Sequence, residues 1–467
     1  MSDELPQGWV EAAVEEIAEI NPRHPSNLDD SLPVTFIPMP AVSEGSWALK
    51  FKEERILKDV RKGYTHFTDG DVLFAKITPC MENGKGAVAT ELKNGLGCGS
   101  TEFHVLRLYG GIEPKLIYFF LKQNSFRKDA ARNFTGTAGQ LRVPVSFIRE
   151  TRIPLAPLPE QRRIVAKLEI LSAKMDACQK RLAKIPVLLK RFRQSVLTGA
   201  CSGKLTEDWR EQYPNVRTSI EIINSLKTPT PVPYDDVFEK SKNIELPKSW
   251  SWIQLGKLGQ VIGGGTPSKD NPKYWNGNIP WISPKDMKYF RIHNSYDHIT
   301  ELALEHSTIK IIPRGSILFV VRGMILSHTL PTAIIDNVAT INQDMKALVP
   351  EKSDMSEYLA FVSKYISPSV LFEVKESTHG TKRLESSILK NWAIPIPPIP
   401  EQQEIVRRVK ALFVLADQIE ARYAKAKMFV DKLTQSILAK AFRGELARQD
   451  PNDEPASVLM ERIKGMR

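Results

Sequence analysis

The residues of this chain best suited to act on a ligand are basic and polar, and they gather in glycine-bearing loops. One is Lys76-Ile77-Thr78-Pro79-Cys80-Met81-Glu82-Asn83-Gly84-Lys85, and another is Thr135-Gly136-Thr137-Ala138-Gly139-Gln140-Leu141-Arg142. Further along come Thr266-Pro267-Ser268-Lys269, Tyr274-Trp275-Asn276, Arg322, and Ser377-Thr378-His379-Gly380-Thr381-Lys382-Arg383. Lys and Arg hold phosphates, Asn, Gln, Arg, Ser and Thr read base edges, and glycine lets a backbone come close. The candidate nucleic-acid contacts are therefore Lys76, Thr78, Asn83, Lys85, Thr137, Gln140 and Arg142 in the first half. In the second half they are Thr266, Ser268, Lys269, Tyr274, Arg322, His379, Lys382 and Arg383. For any one of them a solvated loop position is an equally good account.

Bond-making chemistry has weaker candidates. Gly263-Gly264-Gly265-Thr266-Pro267 lacks the G-K-[ST] of a phosphate loop. Pro267 and Pro272 also interrupt the helix a dinucleotide fingerprint needs. Asp270-Asn271-Pro272-Lys273-Tyr274 only faintly matches an amino-methyltransferase signature, because its second proline is missing. His293 and His298 have no carboxylate constellation in the sequence and read as surface histidines. Asp69-Gly70-Asp71 reads as a turn entering a strand. No nuclease pattern of paired acids and E-x-K stands out, and no metal site is expected.

These loops are carried by a repeat. Leu5-Pro6-Gln7-Gly8-Trp9 returns as Leu246-Pro247-Lys248-Ser249-Trp250. Ile153-Pro154-Leu155-Ala156-Pro157-Leu158-Pro159-Glu160-Gln161 returns as Ile394-Pro395-Ile396-Pro397-Pro398-Ile399-Pro400-Glu401-Gln402. Gln194-Ser195-Val196-Leu197 returns as Gln435-Ser436-Ile437-Leu438, and Gly203-Lys204-Leu205 as Gly444-Glu445-Leu446. The shift is 241 residues each time, so the chain is a tandem duplication. Between these fixed blocks, 10–150 and 251–391 align only in patches, such as Gly70-Asp71-Val72-Leu73-Phe74 with Gly315-Ser316-Ile317-Leu318-Phe319. One scaffold with two different inserts suggests two different binding surfaces.

After each Pro-Glu-Gln block, apolar residues recur in alternating steps of four and three. The first seam holds Ile164, Leu168, Leu171, Leu182, Leu189 and Phe192, and the second Ile405, Val409, Leu412, Ile419, Leu433 and Ile437. Such spacing over more than four heptads marks a coiled-coil seam. Each seam runs for about 50 Å at 1.5 Å per residue. Packing the two on each other, antiparallel, is the simplest arrangement. Pro159 and Pro400 suit helix starts, Gly203 and Gly444 suit C-terminal caps, and Pro186 should kink the first helix. Within the inserts, Val34–Ile37, Val72–Ile77, Ile317–Val321 and Thr332–Ile335 read as strands, and Pro114–Leu121 and Ser356–Val362 as helices.

The 467 residues carry a net charge of +11, concentrated in 157–210, which hold 12 basic and 5 acidic residues. Excess positive charge attracts a polyanion. Hydrophobic content of 42% is that of a globular protein, and no run is long enough to span a membrane. The acidic start Met1-Ser2-Asp3-Glu4 and four scattered cysteines suit a cytoplasmic protein with reduced thiols.

The openings Leu5-Pro6-x-x-Trp9 and Leu246-Pro247-x-x-Trp250, the two Pro-Glu-Gln blocks, and the helix endings Lys190–Leu197 and Leu433–Leu446 together resemble the specificity subunits of type I restriction–modification enzymes. The resemblance covers the chain from Leu5 to the C-terminal helix. It implies an α+β architecture: two mixed α/β target-recognition domains joined by two long coiled-coil helices in a tandem pseudo-two-fold repeat. The parts would be recognition domain 1 (1–156), long helix 1 (157–205), a linker (206–245), recognition domain 2 (246–397), long helix 2 (398–446) and a tail (447–467). It further implies double-stranded DNA as ligand, each domain reading one half of a split site and the helices serving as ruler and dock. Two methyltransferase subunits would dock there, and restriction subunits would join through them. S-adenosylmethionine, ATP and magnesium would belong to those partners, with no cofactor on this chain. The rival readings are a solitary DNA methyltransferase or nuclease, and a coiled-coil adaptor that binds no DNA.

Overall fold

In the computed structural model, residues 5–137, 139–226, 245–376 and 380–466 are described. The chain forms two compact units, one of Met1–Lys184 with Tyr423–Arg467, the other of Ile185–Arg422. The Pro-rich stretch Thr228–Pro233 lies outside the described residues.

In unit 1 a four-stranded antiparallel sheet runs in the order Ala18–Ile20, Phe103–Leu108, Val72–Ala75, Gly86–Val88. Its central strand Val72–Ala75 is buried throughout, and its side chains alternate between two cores. Val72 and Phe74 pack with Leu116, Ile117 and Phe126 of the helices Pro114–Leu121 and Asn124–Arg132. Leu73 packs with Ile37, Phe67 and Phe103. A strand covered on both faces needs apolar residues at every position, which is why Val72-Leu73-Phe74-Ala75 shows no polar alternation. A second, mixed sheet has the order Glu53–Ile56, Pro33–Ile37, Leu96–Gly99, Thr65–Thr68.

Unit 2 repeats the plan. Its five-stranded sheet runs Gly259–Gly263, Met345–Pro350, Ile317–Val320, Thr332–Ile335, Arg291–Ile292. Ile317 and Phe319 join the core of the helix Ser356–Leu371, and Leu318 and Val320 face the opposite core. The first four strands match those of unit 1 in order, so the divergent inserts share one fold. A three-stranded sheet, Asp297–Ile299, Trp275–Ile282, Thr340–Ile341, completes it.

The first long helix is interrupted. It runs Leu158–Leu182, turns at Ala183 and Lys184, and resumes as Ile185–Ser202 with Pro186 in the new first turn. The second has Lys427 at the matching position and runs unbroken from Ile399 to Ala441. Proline cannot donate to the i−4 carbonyl and its ring clashes there, so one residue accounts for the difference.

Within each unit the helices pair antiparallel. In unit 1 Lys167 Nζ donates to the Leu446 carbonyl at 3.0 Å and Gln179 Nε2 to Asp431 at 3.4 Å. In unit 2 Arg193 donates to Asp417 and Glu420, both at 2.7 Å, and Arg408 to the Leu205 carbonyl at 2.9 Å. The seam is closed unevenly. Ile164, Leu168, Leu189, Ile405 and Val409 are buried. Leu171, Leu182, Phe192, Leu412, Leu433 and Ile437 are half-buried, and Ile419 is 38% exposed. The segment 206–226 carries two short helices, Glu207–Gln212 and Ile220–Asn224.

Candidate nucleic-acid interface

Each insert is anchored to its long helix by the repeated motifs. Val10–Ala13 pairs antiparallel with Arg152–Leu155, and Ser251–Gln254 with Ala393–Ile396 in the same register. The tryptophan before each first strand donates its indole N–H to the buried glutamate in the first turn of the helix. Trp9 reaches Glu160 at 3.0 Å and Trp250 reaches Glu401 at 2.8 Å. The next residue closes the turn, with Gln161 and Gln402 each donating at 2.9 Å to the carbonyl five residues back. Gly203 and Gly444 take positive φ (80° and 73°) just past the helix ends, and a Cβ on either would collide with Pro247 or Pro6 respectively. The repeated tryptophan, glutamate, glutamine and glycine thus belong to one joint, built twice.

Within each insert, candidate loops distant in sequence are brought together. In unit 1, Ile77 and Arg142 form an isolated bridge. Thr78 N–H donates to the Leu141 carbonyl at 3.0 Å, and Val143 N–H to the Lys76 carbonyl at 2.9 Å. The two loops named from sequence, Lys76–Lys85 and Thr135–Arg142, therefore form one surface. In unit 2 the same bridge joins Arg322 to Arg383, and Leu384 N–H donates to the Val321 carbonyl at 2.9 Å. Arg383 corresponds to Arg142 at the repeat shift of 241, and Arg322 to Ile77 at the shift of 245 that relates the central strands.

The side chains differ between the two. Arg142 grips Glu102 with two hydrogen bonds of 2.9 and 2.7 Å, and that bond holds the Glu102 carboxyl below its ordinary range. Lys76 lies beside this pair, its ammonium pKa lowered mainly by burial. Thr78 donates to Glu82, Asn83 donates to Glu44 at 3.1 Å, Lys85 is half-buried, and Thr137 and Gln140 are exposed. In unit 2, Arg322 and Arg383 are exposed and make no ion pair among the described residues, while Lys382 pairs with Glu376 at 2.5 Å. His379 lies outside the described residues.

Thr266, Ser268, Lys269 and Tyr274 belong to a different part of unit 2. Thr266 donates to Gln343, and the Ser268 carbonyl accepts from the Trp275 indole at 3.1 Å. Lys269 lines an open cleft with Trp275, Trp281, Lys285, Asp297 and Asn342. Tyr274 is half-buried among the apolar residues behind it. The two tryptophans meet edge to face at 5.2 Å, and Lys285 pairs with Asp297 at 2.6 Å. Residue typing passed over Trp281, Lys285 and the exposed Tyr289 and Tyr296. The meeting of Trp275 and Trp281 depends on an irregularity in the strand, where Trp275 and Ile279 both pair with Ile299, because six residues of regular strand would hold the rings about 20 Å apart. His293, read from sequence as a surface histidine, has a side chain 71% exposed and lies 3.0 Å from Asp336, which also holds Arg291.

Among the described residues no group of three or more His, Cys, Asp or Glu could hold a metal, and no helix is long and apolar enough to cross a membrane. All four cysteines are unpaired.

The sequence profile of the type I restriction modification DNA specificity domain matches twice, over residues 6–187 and 247–427. The EcoKI specificity subunit of Escherichia coli (strain K12) is 29% identical across 99% of this chain and 96% of its own length. The EcoBI specificity subunit of Escherichia coli is 32% identical across 68% of this chain and 65% of its own. Among solved structures, a chain from a study of type I R-M complex assembly and conformational transition has a TM-score of 0.70, at 22% identity over 95% of this chain and all of that one. The HsdS subunit from Thermoanaerobacter tengcongensis has a TM-score of 0.57, at 21% identity over 95% of this chain and 98% of that one. With the domain present twice at the repeat spacing and the fold shared over nearly its whole length, this chain belongs to the type I restriction–modification DNA specificity family.

Proposed function

We propose that this chain is the non-catalytic, sequence-specific DNA-recognition subunit of a type I restriction–modification system and reads a bipartite target, one half-site per recognition domain. The observation that carries this is the loop bridge made twice, Ile77–Arg142 and Arg322–Arg383, on the same scaffold but with unlike side chains. Equivalent placement with different chemistry is what two readers of two different sequences require. Phosphate contacts set position and base-edge contacts set sequence, so the exposed Arg322, Arg383, Thr137 and Gln140 are the first candidates for contact. The long helices, the first of which lies in the basic stretch 157–210, dock two methyltransferase subunits, and restriction subunits join through them. S-adenosylmethionine, ATP and magnesium act on those partners. A solitary methyltransferase or a DNA-blind adaptor gains no support from the family match.

The test is to co-express the chain with its methyltransferase subunit and map methyladenine across the host DNA by single-molecule sequencing. The expected pattern is one split motif of two short specified segments around an unspecified gap. A contiguous motif, or methylation independent of this chain, would overturn the proposal. Arg383→Ala is expected to weaken DNA binding by the complex by about 1–3 kcal/mol, and to flatten the salt dependence if the contact is to phosphate.

A further inference from the structure

Unit 1 contains a cavity of about 270 Å³ between the helices and the recognition domain, lined by Tyr118, Lys122, Asp176, Gln179, Thr434 and Gln435, among others. The repeat shows which side chains stand at the corresponding positions in unit 2, where they form an ion pair near the surface, with the two carboxylates 69% and 58% exposed. Shifted by 241, Thr434 corresponds to Arg193, Asp176 to Asp417 and Gln179 to Glu420. In unit 2 the Arg193 guanidinium crosses between the helices and donates to Asp417 and Glu420, each at 2.7 Å. In unit 1 the arginine is replaced by threonine, whose hydroxyl is spent on its own helix, donating to the Val430 carbonyl at 2.9 Å. The two acceptor positions, 176 and 179, are retained one helical turn apart.

Three further observations bear on this space. Asp176 has no hydrogen-bond or ion-pair partner within contact distance among the described residues, and burial pushes its carboxyl up against the opposing charges of Lys180 and Lys122. Tyr118 is only 3% exposed, its hydroxyl has no partner among the described residues, and it lines the same cavity. Lys122 does not neutralise the site by direct contact, since its ammonium donates to the Gly84 carbonyl at 2.9 Å and to the Glu44 carbonyl. A cation is compatible with that lysine. In unit 2, Lys364 of the helix Ser356–Leu371 lies close enough to Arg193 for the guanidinium to lower its pKa, second to the effect of burial. The volume is several times the roughly 30 Å³ share of one water.

We propose that this cavity is a binding site for a guanidinium group carried by a small molecule, held by Asp176 and the Gln179 side-chain carbonyl as Arg193 is held by Asp417 and Glu420. A planar guanidinium presents several N–H donors in a fixed fork and can meet two acceptors one turn apart. A compact ammonium is a point charge without that match.

The experiment is a thermal-shift titration of the full chain with agmatine up to about 10 mM, since a ligand that binds only the folded state raises Tm with concentration. Putrescine, the matching diamine, controls for charge. The expected result is a saturable rise with agmatine that putrescine does not reproduce and that Asp176→Asn abolishes. Thr434→Arg should restore the internal arginine, raise Tm without ligand by roughly 2–4 °C, and remove the agmatine response. No saturable response in the wild type, equal responses to agmatine and putrescine, or a response that survives Asp176→Asn would each overturn the proposal. If Thr434→Arg does not fold, the Asp176→Asn and putrescine arms still decide it.

Discussion

Among the described residues, the buried Glu160 of unit 1 accepts one hydrogen bond, from Trp9, and its other oxygen has no partner. In unit 2 the equivalent Glu401 accepts three, from Trp250, Thr206 and Arg210. The two joints have the same residues, the same spacing and the same indole bond, yet one carboxylate is balanced by a guanidinium at 2.6 Å and the other is not. The cause is local. Thr206 and Arg210 follow the end of the first long helix, whereas the residues 241 further on are Ala447 and Pro451. Burial accordingly pushes the Glu160 carboxyl up, with only the Trp9 bond and the charge on Arg163 pulling it down. Geometry was kept through the duplication while its electrostatic support drifted.

The sharpest way to break this comparison is to remove each glutamate. Glu401→Ala leaves Arg210, whose side chain is 22% exposed, without its buried carboxylate, and should destabilise unit 2 by about 3–5 kcal/mol. Glu160→Ala removes a single hydrogen bond and should cost unit 1 about 1–3 kcal/mol. Hydrogen exchange followed separately in the two units distinguishes them, and equal losses would show that the extra partners of Glu401 contribute nothing.

The seam gives the next contrast. Ile405 is fully buried and Ile419 is 38% exposed, although both hold the same heptad position in the sequence pattern. Ile405→Ala should cost about 2–5 kcal/mol through lost burial and a residual cavity. Ile419→Ala should cost roughly 0.5 kcal/mol or less, as surface substitutions do. Urea denaturation of the two variants measures the difference.

Acid should separate the two recognition domains. In unit 1, burial lowers the pKa of His24 and His104 to about 4, and the Nε2 of each lies 2.8 Å from a carbonyl, that of Gly97 and Val143 respectively. Both pKa values lie below the unfolded value of 6.5, so the unfolded state binds protons first as the pH falls. Their stabilisation is complete above about pH 6.5 and is lost as pH drops from there to 4. No buried histidine is found among the described residues of unit 2. Unit 1 should therefore lose stability relative to unit 2 over that window, by about 3 kcal/mol for the well-buried His104 and by less for His24, which solvent partly screens, read by limited proteolysis at stepped pH. His104→Gln should remove part of the difference.

How much of this was legible in sequence depended on what carried the signal. The strands read at Val72–Ile77 and Ile317–Val321, which end at Ala75 and Val320, were readable with Thr332–Ile335 and the helix Pro114–Leu121 because uninterrupted apolar runs and helix-starting prolines are local. The break at Ala183–Lys184 was readable because Pro186 acts on its own turn. The shared sheet order was not, because the copies align only in patches and strand pairing links residues tens of positions apart. The convergence of Lys76–Lys85 with Thr135–Arg142 is likewise non-local, with bridge partners 65 residues apart. The tryptophan–glutamate bond spans 151 residues. It was visible only as two motifs recurring together, with no sign that they touch. The cavity left by Thr434 became visible only when the repeat was read against side-chain positions.

The central claim is that one repeated frame presents two independent readers. It is tested most directly by replacing residues 10–150 with the matching segment of another family member, whose own split motif is known, and mapping methyladenine in a host that expresses the hybrid with its methyltransferase. The account predicts a motif in which one half-site is replaced by that of the donor while the other half-site is unchanged. A hybrid that alters both half-sites, or leaves both as they were, would contradict it.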